Sequence, residues 1–287
     1  MSQKVVIVGG GLAGSEAALY LANSGISVDL YEMRPEKKTP VHKTNYLAEL
    51  VCSNSLGSSS FENASGVLKE EISRLGSVLI PLVKKFSVPA GGALATDRDL
   101  FSAHVTDMIE KHPGINLKHE HVHDIHVYTD AGHVVLVASG PLTTDELASD
   151  ILKYTGQEYL HFYDAVAPIV EYDSIDMSKA YMMDRYNKAG DSSYVNCPMN
   201  EQEYDVFYNY LINAPTIELK EFEKEASFFE GCMPVEVIAS RGKDTLRYGP
   251  MKPVGLPDPK NDKIPYAVVQ LRQDNAAASL FLRRRFS

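Results

Sequence analysis

Three cysteines lie far apart in this chain, at Cys52, Cys197 and Cys232, and two of them sit where a thiol could act as a nucleophile. Cys52 falls in Glu49-Leu-Val-Cys-Ser-Asn-Ser55, where hydroxyl and amide donors follow the sulfur at the end of an element and could stabilise a thiolate. Cys232 falls in Phe229-Glu-Gly-Cys-Met-Pro-Val235, a turn bounded by glycine and proline that presents its side chain instead of packing it within a helix or strand. An isolated thiol of either kind is more often an inert core residue, so spacing alone leaves both readings open. Cys197, beside Pro198 in a polar loop, reads as structural. An odd number of scattered cysteines with no C-x-x-C pair supports neither a disulfide framework nor a thiolate zinc site.

A second group of residues could bind a dinucleotide. Gly9-Gly-Gly-Leu-Ala-Gly14 has G-x-G-x-x-G spacing behind the apolar run Lys4-Val-Val-Ile-Val8. Gly9 allows a tight turn, Gly11 lets the backbone approach a pyrophosphate, and Gly14 lets a helix starting near Leu12 pack on the strand. The amides around Gly10, Leu12 and Ala13 then face the phosphates with the positive end of that helix. Glu32, at the end of the next strand Ile26 to Tyr31, sits where a carboxylate would hold an adenosine ribose. Val134-Val-Leu-Val-Ala-Ser-Gly140 is a further signal: a strand ending in the small residues Ser139 and Gly140, of the type that returns the chain under a bound cofactor, favouring FAD over NAD. Its bland alternative is a core strand followed by a turn.

Two polar clusters complete the inventory. Arg241, Lys243, Arg247 and Lys252 stand close together in an otherwise acidic protein and could contact RNA phosphates, although a solvated basic face has the same pattern. His119, His121 and His123 alternate on an expected strand, a geometry able to bind zinc; with no acid completing that face, a solvated strand face is preferred and no metal is expected.

The elements that must position these groups follow from periodicity. Met33 to Ser60 reads as a long functional loop with a short helical piece from Tyr46 to Val51, and Val67 to Lys85 as a helix kinked or ended by Pro81. Asp99 to Lys111 and Thr144 to Tyr154 read as helices, and Ile115 to Ala138 as short strands with a hairpin at Asp130-Ala-Gly132. Asn200 and Glu203 form a capping box for a helix, an acidic run from Glu218 to Glu225 reads as a solvated helix face, and the pattern turns to strands and turns from Pro234. Composition shifts between Tyr172 and Asn200, which predicts a Rossmann-like α/β domain over 1–180 and a smaller α+β domain over 181–287. The 287 residues carry a net charge of −10, which argues against a protein coated in basic surface but leaves room for a local RNA patch. No run reaches the length of a membrane span and Met1 leads straight into a strand, so a cytoplasmic protein is expected.

Together these segments resemble the bacterial folate- and FAD-dependent tRNA (uracil-5-)-methyltransferase family. The resemblance runs in order through Gly9 to Ala18, Tyr31-Glu-Met-Arg-Pro35, Glu49 to Ser55, Lys69-Glu-Glu71, Pro89-Ala-Gly-Gly-Ala93 with Asp97-Arg-Asp99, Gly140-Pro-Leu-Thr143, Phe229 to Glu236, Arg247 to Leu256 and Tyr266 to Ala276. It implies methylation of carbon-5 of the T-loop uridine (uridine 54) of tRNA. The carbon would come from methylenetetrahydrofolate, with FAD as cofactor and NAD(P)H as reductant. It also implies that Cys52 and Cys232 are both at the active site: a thiolate added to carbon-6 makes carbon-5 of uracil enolate-like, and a thiol near the flavin could support the one-carbon unit. Which thiol takes which role stays open. The chain departs from the family at Ala277 to Ser287, where its character changes and family members continue back into the FAD domain. That tail reads as a frameshift or truncation product, which would leave the smaller domain incomplete, with a basic tail that binds RNA as the alternative. A generic FAD or NAD(P)H oxidoreductase and an inactive fragment are the alternatives.

Overall fold

The computed structural model describes residues 4–39, 41–156, 168–187, 192–215 and 233–283. They form two compact units: the first takes 1–54, 61–86 and 97–166, the second 55–60, 87–96 and 167–287. The units therefore change over at 166–167, earlier than the 180–181 expected from composition, and the second unit also draws in two short excursions from the first half of the chain. Composition could not show those excursions, because 55–60 and 87–96 are too short to shift it.

In the first unit, β1 (Val5–Val8) is central to a four-stranded parallel sheet. Its neighbours are β2 (Val28–Tyr31) and β7 (Val134–Val137), and β6 (Ile115–Lys118) lies outside β2, giving the order β6-β2-β1-β7. Val6, Ile7, Val28 and Leu30 are at most 1% exposed, as befits strands covered on both faces, and each fully buried aliphatic side chain contributes about 1.5–3 kcal/mol. Helix α1 (Leu12–Asn23) packs Ala18, Leu19 and Ala22 inward, and Gly25, at φ +82°, ends it. On the β7 side, Val6, Val8 and Tyr31 meet Val122, Ile125 and Leu147.

Several expectations are corrected here. The segment after Ile115 is not a hairpin: β6 and β7 lie at opposite edges of one parallel sheet, so the chain between them crosses over, with a single helical turn, α5 (His126–Thr129). Helix 67–85 is two helices, α2 (Ala64–Arg74) and α3 (Leu79–Lys85). The break comes at Gly76, with φ +94°, while Pro81 sits in the first turn of α3, where its missing N–H costs nothing. No helix forms from Tyr46 to Val51, because Ala48 is left-handed at φ +52°. The helices expected over 99–111 and 144–154 are present, each with a side-chain cap. The Asp97 carboxylate accepts from the Asp99 and Leu100 amides at the head of α4 (Arg98–Lys111), and Thr144 caps α6 (Asp145–Thr155).

The second unit holds two antiparallel sheets. β3 (Ser55–Ser58), β5 (Ala93–Thr96) and β4 (Ser87–Val88) make one, in the order β3-β5-β4. The other has the order β8-β12-β11-β10-β9, from β8 (Ile169–Glu171), β9 (Tyr181–Met182), β10 (Tyr194–Met199), β11 (Ala267–Gln273) and β12 (Leu280–Arg283). Within the segment 277–287, where the sequence changes character, Leu280–Arg283 form an interior strand, with Phe281 and Leu282 at 3% and 1% exposure. The expected capping box is present on α7 (Glu201–Ile212): Asn200 accepts from the Glu203 amide, and Glu203 accepts from the Asn200 amide. The strands expected after Pro234 are β11 and β12, but two short helices not expected from the pattern, Val235–Ser240 and Thr245–Tyr248, come before them and pack Ala239 and Leu246 against Tyr204 of α7. The acidic run 218–225 lies outside the described residues.

Candidate nucleotide cradle and cysteine loop

The G-x-G-x-x-G turn joins β1 to α1, and each glycine answers a different constraint. Gly9, at φ +108°, lies against the end of β7: a Cβ there would come 2.6 Å from the Ala138 oxygen and 2.7 Å from the Ser139 Cα. At Gly14 a Cβ would lie 1.8 Å from the Gly9 carbonyl oxygen, so this glycine sets how closely α1 approaches the turn. Gly11 has nothing within 4 Å of a built Cβ. Position 11 thus borders open space beside the first amides of α1 at Leu12 and Ala13, donors that a helix start leaves without an intrahelical partner.

Gly10 is enclosed. A Cβ there would meet Leu47 Cδ2 at 2.5 Å and Glu32 Oε2 at 2.8 Å. Its amide donates to Glu32 Oε2 at 3.0 Å and its carbonyl accepts from the Ala48 amide at 2.8 Å, so Gly10 is committed to the protein's own structure. Glu32, 5% exposed at the end of β2, also accepts from the Arg34 amide (3.0 Å) and Arg34 Nε (2.8 Å) on Oε1. Burial would raise the Glu32 carboxyl, but the Arg34 hydrogen bond and charge, with the backbone amides of Arg34 and Gly10, outweigh it and hold the group below its ordinary value. The carboxylate is therefore ionised beside the cradle, and Oε2, with one bond to Gly10, retains accepting capacity.

Cys52 belongs to the same unit. The loop before it is stapled to α4: the Leu47 amide donates to Thr106 Oγ1 (2.8 Å), Ser102 Oγ donates to the Ala48 carbonyl (3.2 Å) and Arg98 Nη1 donates to the Leu50 carbonyl (2.8 Å). Cys52 is half-buried four residues past Ala48, a span of at most about 14 Å. Cys232 lies outside the described residues. Cys197, on β10, is half-buried and its thiol is pushed up by burial, in keeping with a structural role. Ser139 and Gly140 follow β7; the Ser139 hydroxyl bonds Thr143 Oγ1 at 2.7 Å and Gly140 turns the chain at φ +65°.

The histidines do not share a strand face, because β6 ends at Lys118. His119 bonds the Arg34 carbonyl and His121 bonds Thr144 Oγ1 at 2.8 Å, so these rings serve the loops after β2 and β7.

In the second unit the basic residues separate. Lys243 is ion-paired with Asp205 at 2.5 Å, which raises its pKa. Arg247 is held with its guanidinium carbon 3.9 Å from the Tyr266 ring centroid and 4.8 Å from that of Tyr248. Arg241 and Lys252 are exposed with no ion-pair partner among the described residues. Arg247 faces a cleft of about 540 Å³ that also takes in Asn200, Glu201, Asn261, Lys263 and Tyr266. Sequence spacing missed Lys263, which reaches this cleft from the turn that pairs Asp258 with it. It also missed Arg34 and Glu49, although both lie within family-like segments quoted for their neighbours. Among the described residues no helix is long and apolar enough to cross a membrane.

Comparison with known proteins agrees with this architecture. The solved structure of GidA from Aquifex aeolicus superposes with a TM-score of 0.57 at 14% identity, covering 98% of this chain and 49% of that one, a likeness of fold. Proteins called methylenetetrahydrofolate--tRNA-(uracil-5-)-methyltransferase TrmFO are similar in sequence. Those of Enterococcus faecalis and Bacillus pumilus are 56% and 57% identical over 281 residues, 98% of this chain and 63% of each relative. The chain thus spans under two thirds of the length of these curated relatives. The family model described as glucose inhibited division protein A matches residues 4–287, and with the parallel sheet and its glycine turn in place, the chain belongs to that family.

Proposed function

We propose that this chain carries the N-terminal part of a folate- and FAD-dependent methyltransferase acting on carbon-5 of the T-loop uridine of tRNA, with NAD(P)H as reductant. The observation that carries the reading is identity of 56–57% over 98% of the chain to relatives named methylenetetrahydrofolate--tRNA-(uracil-5-)-methyltransferase. The cradle supports it: Gly11 stands beside open space, and the amides of Leu12 and Ala13 would hold a pyrophosphate there. Glu32 Oε2 would accept from a ribose hydroxyl with the lone pair that Gly10 leaves, and the Ser139–Gly140 turn would lie beneath the cofactor beyond Gly9. When bound, FAD supplies two-electron chemistry between the nicotinamide and the one-carbon unit.

The residues of the chain would do the rest. The net reaction converts methylenetetrahydrofolate, the uracil, NAD(P)H and a proton into tetrahydrofolate, the 5-methyluracil and NAD(P)+, a methyl replacing the hydrogen on carbon-5. A thiolate of Cys52 or Cys232 adds to carbon-6, which loads carbon-5 with electron density, and leaves again when the carbon-5 proton is lost. The second thiol would support the one-carbon unit. Arg241, Arg247 and Lys252, joined by Lys263, would contact tRNA phosphates, while Lys243 is largely engaged by Asp205. Soluble handling of tRNA fits a cytoplasmic protein.

The test is incorporation of labelled carbon from methylenetetrahydrofolate into unmodified tRNA by the purified chain with FAD and NADPH, read as 5-methyluridine. Label in 5-methyluridine supports the reading. Flavin bands and NADPH oxidation without it would leave an oxidoreductase. The 63% coverage of the relatives favours a second reading, a binding fragment without turnover, for which tRNA retention without label is the expected result.

A further inference from the structure

Gly10, Glu32, Arg34 and Glu49 form a closed ring. The Gly10 amide donates to Glu32 Oε2 (3.0 Å), Glu32 Oε1 accepts from Arg34 Nε (2.8 Å), and Arg34 Nη1 donates to Glu49 Oε2 (2.8 Å). One peptide back along the chain, the Ala48 amide returns to the Gly10 carbonyl at 2.8 Å. Arg34 is 1% exposed, and the two carboxylates share this single guanidinium with side-chain exposures of 6% and 9%. Two buried acids on one cation hold only if separate nitrogens of a rigid fork serve each, which the compact ammonium of lysine does not do.

We propose that Arg34 is a positioning residue whose fork registers the Cys52 loop against the glycine turn. The far carboxylate, Glu49, opens the segment that ends in the thiol, and it also gathers the start of that loop by accepting from the Lys43 amide (2.8 Å) and Thr44 Oγ1 (2.9 Å). Between them the buried Ala48 is held at φ +52°, a conformation that persists in a non-glycine residue only where its surroundings enforce it. Leu47 fills the space beside Gly10, and Arg98 fixes Leu50 from the other side. The loop therefore has little freedom between the cradle and α4, and Arg34 is the charged link in its attachment to the cradle. The inference rests on the methyltransferase reading only in taking Cys52 as the thiol worth placing.

The test is alkylation of the intact chain by iodoacetamide from pH 6 to pH 9, with Cys52 and Cys197 followed separately by peptide mass spectrometry. Cys197 lies in the other unit and serves as the internal reference. Arg34→Lys keeps the charge and loses the fork; it is expected to raise the Cys52 rate about tenfold while Cys197 changes less than twofold. Glu49→Gln keeps the side-chain size and is expected to move Cys52 in the same direction by a smaller factor, and it decides alone if Arg34→Lys does not fold. An unchanged Cys52 rate in a folded variant overturns the proposal. So does a parallel rise of both thiols in Glu49→Gln, which would mark general loosening. The assay needs no flavin, folate or tRNA, so its failure is distinct from failure of the methyltransferase reading.

Discussion

Replacing Gly14 by alanine separates packing from ligand binding at the cradle. The new Cβ would lie 1.8 Å from the Gly9 carbonyl oxygen, when real Cβ atoms essentially never come within 3.0 Å, so α1 or the turn must move by at least roughly 1.2 Å. The atom met is backbone within a turn already pinned by β7, so no side chain can swing away. Alanine gains about 1 kcal/mol of helix propensity over glycine, and overpacking costs about 1–3 kcal/mol or more where the neighbour is rigid, leaving a net loss of about 2 kcal/mol at the upper end. For a unit of this size that lowers the melting temperature by about 4–8 °C, measured by calorimetry, with hydrogen exchange of α1 identifying the transition that moves. Gly11→Ala is the partner experiment. Its Cβ meets nothing, so stability should fall by about 1 kcal/mol or less, while titration with ADP should weaken about tenfold because the methyl occupies the phosphate's space. Wild-type melting of Gly14→Ala, or an equal loss in Gly11→Ala, would refute the assignment of one glycine to packing and the other to ligand.

Three further outcomes are expected. Glu32 has a folded-state pKa below its ordinary 4.5, so its stabilisation is complete above about pH 4.5 and is lost as pH falls through the lower folded value; Glu32→Gln should flatten the acid limb of the stability curve, and superimposable limbs would contradict it. At neutral pH the same variant should cost about 2 kcal/mol by denaturant titration, less than the roughly 3–5 kcal/mol for stranding a buried charge, because Arg34 keeps Glu49. Asn200→Ala should destabilise the second unit by about 1 kcal/mol and speed exchange of the first α7 amides, whereas unchanged exchange would mean the capping box is idle. For the tRNA binding proposed above, measured across salt, Lys263→Ala should reduce the slope of log K against log salt by about 0.7–0.9, and Lys243→Ala by less since Asp205 already holds that ammonium; the reverse order would refute the division of the basic residues.

Legibility tracked how local each determinant is. The strand, glycine turn and helix from Val5 to Asn23 follow from a β-branched run and three backbone requirements within a dozen residues. The capping box at Asn200 was readable for the same reason, since donor and acceptor lie three positions apart. Alternating apolar residues could not distinguish a hairpin from a crossover between Ile115 and Ala138. That depends on β6 and β7 pairing with different strands of one sheet. Lys243 looked like its neighbours until α7 brought Asp205 against it, and Lys263 gave no signal because only a turn's geometry carries it to Arg247.

By itself, then, the sequence determined the dinucleotide-type turn, the capping box at Asn200 and the resemblance that singles out two thiols as candidates, all through interactions that span a few residues or through motif order. Only the tertiary structure decided which glycine is packed and which is open, since that depends on Ala138, Leu47 and Glu32 arriving from three other segments. It also decided the ring that ties Gly10 to Glu49. Buried charges must find partners wherever the fold places them, and Arg34 meets its second carboxylate fifteen residues away.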